Sequence, residues 1–158
     1  MRKMVLLIFF IKLGEKMKLK MLTSVCVASV CSVVCTVSGD LLITAVYDGP
    51  LTGGVPKGVE LYVVNDIPNL SDYGLGSANN GGGTDGEEFT FRAGSATAGS
   101  YIYVTNNEGA FNDYYGFYPE YASSAMSING DDAIELFHSG TVIDVYGDIN
   151  VDGNGHPW

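Results

Sequence analysis

Between Ser127 and Gly147 the chain reads S-I-N-G-D-D-A-I-E-L-F-H-S-G-T-V-I-D-V-Y-G, two runs rich in apolar and β-branched residues on either side of Ser139-Gly140. A two-residue connector carrying Gly between such runs is a strong local signal for a tight β-hairpin. Closing that turn sets His138 opposite Thr141, Phe137 opposite Val142, Leu136 opposite Ile143, Glu135 opposite Asp144 and Ile134 opposite Val145. One face of the ribbon is then oily, with Leu136, Ile143, Ile134 and Val145 together. An isolated hairpin cannot keep such a patch dry, so a second sheet must cover it. The other face sets Glu135 against Asp144, beside Phe137 and Val142. Opposed like charges cost about 0.2–1 kcal/mol unless a cation or a basic side chain lies between them.

The remaining segments repeat the short-strand theme. Leu41 to Tyr47 is apolar and β-prone until Asp48-Gly49-Pro50 breaks it, and Val59 to Val64 follows a Gly-rich loop. Tyr73-Gly74-Leu75, Glu87 to Phe91, and Tyr101 to Thr105 read as three more strands. Asn79 to Gly86 holds four glycines and two asparagines, a composition that packs no core and predicts a mobile loop. Glu108 to Tyr121 breaks the two-residue period, with room for a short helical turn. Seven closely spaced strands without an amphipathic helix of useful length predict an all-β fold, an immunoglobulin-like antiparallel β-sandwich, with a small barrel as runner-up.

Residues 1 to 39 have a different character. They hold six of the eight basic residues (Arg2, Lys3, Lys12, Lys16, Lys18 and Lys20) and all three cysteines, Cys26, Cys31 and Cys35. From Met17 the order is basic, then apolar from Met21 to Val37, then small at Ser38-Gly39, which is the layout of a cleaved bacterial secretory signal. The apolar run is short for a permanent span, and no stable membrane span is expected in the mature chain. Each cysteine follows a valine, which argues against a lipid anchor. Met17 is the expected true start, since Met4 to Leu13 would otherwise form a second, redundant oily stretch. The predicted organisation is a leader over 1–39, a β-sandwich over 40–147 and a Gly/Asp/Asn tail over 148–158 that reads as a truncated linker. Export places the protein outside the cell.

Without the leader, 119 of the 158 residues remain, enough for one core. Removing Glu15 and the six basic leader residues leaves 17 acidic side chains against Lys57 and Arg92, a net charge near −15. No cysteine remains to form a disulfide, so packing or bound ions must supply stability. A field of that sign repels phosphate backbones and weighs against direct nucleic-acid binding.

Five segments in order, G-V-E-L-Y-V-V-N at Gly58 to Asn65, N-L-S-D-Y-G-L at Asn69 to Leu75, A-G-S-Y-I-Y-V-T at Ala98 to Thr105, N-G-D-D-A-I-E-L at Asn129 to Leu136 and G-T-V-I-D-V-Y-G at Gly140 to Gly147, resemble the lamin tail domain. The resemblance spans nearly all of the mature chain. Tyr73 stands where that family often has Trp. Bacterial members of the family are typically secreted, and many precede an extracellular nuclease domain of the endonuclease/exonuclease/phosphatase type. The resemblance therefore implies an immunoglobulin-like fold and a non-catalytic adhesive or targeting role. It further implies that the nuclease activity would reside in a missing downstream domain.

Three residue groups could carry chemistry. Asp148, Asn150, Asp152 and Asn154 place oxygen donors at alternate positions like the first half of a calcium loop, although the twelfth-position carboxylate would fall at residue 159 and no helix enters the loop. The alternative is a turn sequence chosen for its backbone. Glu135 and Asp144, with Asp131 and Asp132, form a second acidic group that calcium could bridge, or else a solvated strand face. Asn106 to Tyr118 puts five aromatics and polar partners in one loop, where they either stack on sugar rings or bases or close the end of a sandwich. Tyr62, Tyr101 and Tyr103 read as packing residues. His138 and His156 assemble no nucleophile with a base, so no enzyme is expected. The reading is a secreted binding or targeting module, its partner a downstream domain of the same polypeptide or an extracellular or cell-surface ligand. The alternative is a freestanding acidic surface or matrix protein stabilised by calcium.

Overall fold

A computed structural model describes residues 39–155. The leader, its cysteines, the Met17 start and His156 lie outside the described residues. Two four-stranded sheets carry the chain. The first holds β1 (Leu41–Leu51), β2 (Val55–Val63), β5 (Tyr101–Thr105) and β6 (Tyr121–Ala122), in that order. The second holds β4 (Phe89–Thr90), β3 (Tyr73–Ala78), β7 (Ala133–His138) and β8 (Thr141–Tyr146). Every pairing is antiparallel except the two-residue ladder between β5 and β6. An all-β fold of two sheets is what the alternating sequence predicts, with eight strands among the described residues in place of seven. One helix, α1 (Glu108–Tyr115), takes the place of the expected helical turn.

The core follows from the two-residue period. Val59, Leu61 and Val63 on β2 and Ile102 and Val104 on β5 turn inward, and Leu75, Ile134 and Leu136 meet them from the second sheet, all 0–4 % exposed. Met126 and Ile128, beside the short 3-10 turn Ser124–Met126, join the same cluster. Each fully buried aliphatic side chain contributes about 1.5–3 kcal/mol. Intervening residues such as Glu60, Tyr62 and Tyr103 therefore face outward. β1 continues past the predicted break to Leu51, which an edge strand permits because Pro50 need not donate a ladder hydrogen bond.

The hairpin closes as predicted at its turn and departs from prediction further on. Ser139 and Gly140 both have positive φ, at 50° and 73°, as the favoured two-residue turn demands. His138 pairs with Thr141 and Phe137 with Val142, but an irregularity then shifts the register, so that Leu136 pairs with Asp144, Glu135 with Val145 and Ile134 with Tyr146. Glu135 and Asp144 are therefore not opposed. The extra residue is Ile143, a β-bulge on β8 that packs against the core. It turns the Asp144 side chain toward β1, where Oδ2 accepts the Ile43 backbone N–H at 2.9 Å. β1 is itself irregular between Ile43 and Ala45, so two bulged edges meet through this one hydrogen bond.

The glycine-rich loop also departs from expectation. The Asn80 N–H reaches Asp132 Oδ1 at 3.2 Å, the Gly83 N–H reaches the Ile149 carbonyl at 2.8 Å, and the Thr84 hydroxyl donates to Glu135 Oε2 at 2.6 Å. The loop is pinned across the outer face of β7 and covers Glu135, which is only 2 % exposed. The tail read as a linker packs beside it, with Gly153 buried against the Asp131 backbone.

Asp144→Ala strips the acceptor from a partly buried backbone N–H and is expected to destabilise the fold by about 1–3 kcal/mol in urea unfolding. Asp144→Asn keeps a carbonyl acceptor and should cost clearly less. An alanine variant as stable as the parent would remove the bond from any structural role.

Candidate ligand-binding face

On the outer face of the first sheet the alternation that buries Ile102 and Val104 exposes Tyr101 and Tyr103, and beside them Glu60 and Tyr62 on β2. Helix α1 settles over one end of this face. Its start is set by Asn107, whose side chain accepts the Ala110 N–H at 2.9 Å, and its end by Gly116, which takes the left-handed conformation at φ 82°. Glu108 lies in the first turn, where a carboxylate suits the helix dipole.

Phe111 anchors the helix. It is fully buried, and its ring lies 5.9 Å from Tyr47, 5.6 Å from Tyr103, 4.6 Å from Tyr115 and 5.1 Å from Phe117. Tyr47 reaches in from β1 and donates its hydroxyl to the Val104 carbonyl at 3.0 Å. Gly58 makes this approach possible: a Cβ there would overlap the Val104 carbonyl and sit 2.5 Å from the Tyr47 hydroxyl oxygen. The result is a second, aromatic core outside the sandwich.

The upper layer of that core remains in solvent. Tyr114 is 50 % exposed, Tyr115 41 %, Phe117 42 % and Tyr118 68 %, while Tyr101 is 49 % exposed and packs on Tyr62 at 5.2 Å. Phe117 packs edge-on against Tyr103 at 5.2 Å, and Tyr114 against Tyr115 at 4.8 Å. The following loop is fixed by Glu120, whose Oε2 accepts the Tyr103 N–H at 2.8 Å and whose carbonyl accepts from Arg92 at 3.1 Å. Arg92 in turn lies 5.0 Å over the Tyr121 ring. Beside this loop a concavity of about 230 Å³ is lined by Phe89, Arg92, Glu108, Glu120, Tyr121 and Ala122.

The aromatics of Asn106 to Tyr118 gather in a separate core on the outer face of the first sheet, where the sequence alone has them either closing the end of the sandwich or forming a ligand platform. Phe117 and Tyr115 help close the aromatic core while presenting their outer edges. Tyr101 corrects the expectation that the strand tyrosines are packing residues: it is half exposed at the sheet edge. Sequence reasoning missed Tyr47, Glu60, Glu120 and Arg92 as parts of this face. Strand alternation carried a signal for Glu60, whereas the other three arrive through tertiary packing.

The predicted acidic sites are placed otherwise. Glu135 bonds Thr84 under the glycine-rich loop and Asp144 bonds Ile43 at the far edge, on opposite faces of their sheet. Asp131 sits beside Gly153, and Asp132 accepts the Asn129 N–H at 2.8 Å as well as that of Asn80. In the tail, Asp148 Oδ1 accepts the Asn150 N–H and Asp152 Oδ1 the Asn154 N–H, each at 2.9 Å, forming two successive Asx turns. Among the described residues, no three His, Cys, Asp or Glu side chains group closely enough to hold a metal ion. His138 stacks on Tyr73 at 4.4 Å. No helix among the described residues is long and apolar enough to cross a membrane.

Burial, then hydrogen bonding to Glu60 and its negative charge, push the Tyr103 hydroxyl from the ordinary value near 10 up to about 12. Burial pushes Tyr47 further up, and burial with the neighbouring Tyr114 and Glu60 raises Tyr115. These groups hold their protons in the folded state, so their stabilisation is intact below about pH 10, where free tyrosine ionises, and is lost as pH climbs toward 12. A phenolate absorbance titration is expected to show a delayed phase, and Glu60→Gln to move Tyr103 partway back toward the ordinary value. A single phase near pH 10 would contradict the packing. Comparison with protein-family models finds no match to the chain, and comparisons with curated proteins and with solved structures find none either.

Proposed function

We propose that this chain is an exported, non-catalytic binding module, an immunoglobulin-like sandwich of lamin-tail type, which holds its ligand on the aromatic face around α1. The observation that carries this reading is the exposed set Tyr114, Tyr115, Phe117 and Tyr118. Solvent-facing aromatics on a capped helix cost the fold exposed apolar surface, and contiguous patches of that kind mark interaction sites. Rigidity supports the same reading for Tyr115 and Phe117, because rings already packed on Phe111 lose little freedom when a ligand arrives.

The targeting role and a downstream extracellular nuclease domain follow from the five-segment resemblance, and the leader's layout supports export. In this proposal the sandwich recognises and the adjoining domain reacts. Reading the genomic frame beyond Trp158 is expected to continue into such a domain. An immediate stop codon would favour a freestanding surface protein.

Binding is tested by co-sedimenting the full chain with the insoluble envelope and matrix fraction of the producing cells. The parent is expected to pellet, and a Tyr114→Ala, Tyr118→Ala double variant, at two exposed positions, to stay in the supernatant with an unchanged melting temperature. Equal pelleting of both proteins would remove the aromatic face from the function.

A further inference from the structure

Building on that reading, we infer that the ligand of the aromatic face is an uncharged polysaccharide. Three independent features converge on this class.

The first is the kind of apolar surface. Every large hydrophobic side chain exposed between residues 101 and 118 is aromatic, whereas the exposed aliphatics Leu51, Val142, Val145 and Val151 belong to other segments. A partner helix seeks an aliphatic groove for its apolar face. Partly exposed aromatic rings suit a ligand that is itself a plate, apolar on its faces and polar around its rim. Pyranose rings have that character. Neighbouring rings lie 4.8 to 6.3 Å apart along Tyr114, Tyr115 and Phe117 and are tilted 52° to 87° to one another, so an individual ring, not one flat shelf, would meet a sugar unit.

The second is the polar rim. The concavity lined by Phe89 and Tyr121 offers the carboxylates of Glu108 and Glu120 as acceptors and the Arg92 guanidinium as a donor. Sugar hydroxyls both donate and accept, so they match a mixed rim better than a purely acidic or purely basic one. At about 230 Å³ the hollow is smaller than the roughly 300–1,000 Å³ that encloses a drug-sized molecule. It suits the edge of one unit of a chain that continues over the rings.

The third is charge. Seventeen acidic residues against two basic ones after the leader repel polyanions, which excludes uronate-rich or sulfated polymers and nucleic acids as the favoured ligand. Aromatic stacking on bases would have to overcome that field, and stacking on neutral sugars does not.

The test is native affinity electrophoresis of the full chain in gels holding single polysaccharides. The neutral set comprises soluble polymers of glucose, xylose, mannose and N-acetylglucosamine, and the anionic set polygalacturonate and heparin. At least one neutral polymer is expected to retard the parent. Tyr118→Ala, at the most exposed ring, should weaken retardation about tenfold, the equivalent of about 1.4 kcal/mol. Tyr118→Phe, which keeps the plate, should retain most of it, and Glu108→Gln, at a rim carboxylate, should weaken it without touching a stacking ring. Retardation by the anionic set alone, or by no polymer at all while sedimentation still depends on Tyr114 and Tyr118, overturns the glycan assignment and leaves the binding face standing. Neutral retardation that ignores all of these substitutions overturns the site. Sedimentation that ignores Tyr114 and Tyr118 defeats the underlying reading itself.

Discussion

An open sandwich leaves backbone amides along its edges and in the loops that join its sheets, and in this chain carboxylates take many of them up. Asp144 holds the Ile43 N–H, Glu88 the N–H and hydroxyl of Ser77, Glu120 the Tyr103 N–H, Asp66 the Ala98 N–H and Asp132 the amides of Asn80 and Asn129. At Ser77 and Tyr103 the carboxylate takes a strand N–H, and at Asn80, Ala98 and Asn129 it takes the N–H of a turn or loop. β4 and β6 can therefore be two residues long without leaving β3 and β5 raw beside them. Charged side chains at edges also discourage pairing with another chain. Asp144 and Asp132, both read from the sequence as candidate calcium ligands, are among the carboxylates that do this work.

The same device links fold to site. Glu120 fixes the Tyr103 backbone and, through its carbonyl, Arg92, so one residue ties the loop after α1 to the edge of the first sheet. Asn106 completes the other side: its side chain accepts the Lys57 N–H at 3.0 Å and its own N–H reaches the Lys57 carbonyl at 2.9 Å. Helix α1 is thus held at both approaches before its rings are counted. The Lys57 ammonium, 2.9 Å from Asp48, adds an ion pair whose contribution is modest because Asp48 stays partly in water.

Two cores share the first sheet. Its inner face is aliphatic and closes the sandwich, and its outer face is aromatic and closes only beneath α1. Aliphatic packing conceals itself completely, whereas the aromatic layer leaves parts of Tyr114, Tyr115, Phe117 and Tyr118 in solvent, which is the property a recognition surface needs.

Local rules in the amino-acid sequence decided which side each strand residue faces and where the last hairpin turns, because both depend on neighbours one or two positions away. The strands over Val59 to Val63 and Tyr101 to Thr105 and the turn at Ser139-Gly140 were legible for that reason, whereas Tyr101, read as a packing residue, is half exposed. The pairing of Glu135 and Asp144 was not legible. A bulge at Ile143 is worth making only because β1 lies across from it with an N–H to satisfy, and nothing in the hairpin announces a strand a hundred residues earlier. The glycine-rich loop was misjudged likewise, since its composition speaks of freedom while its acceptors, Asp132, Ile149 and Glu135, come from elsewhere. The division of the aromatics into a buried Phe111 and exposed tyrosines was fixed only when α1 met Tyr47 over Gly58, a contact between segments that no periodicity along the chain encodes.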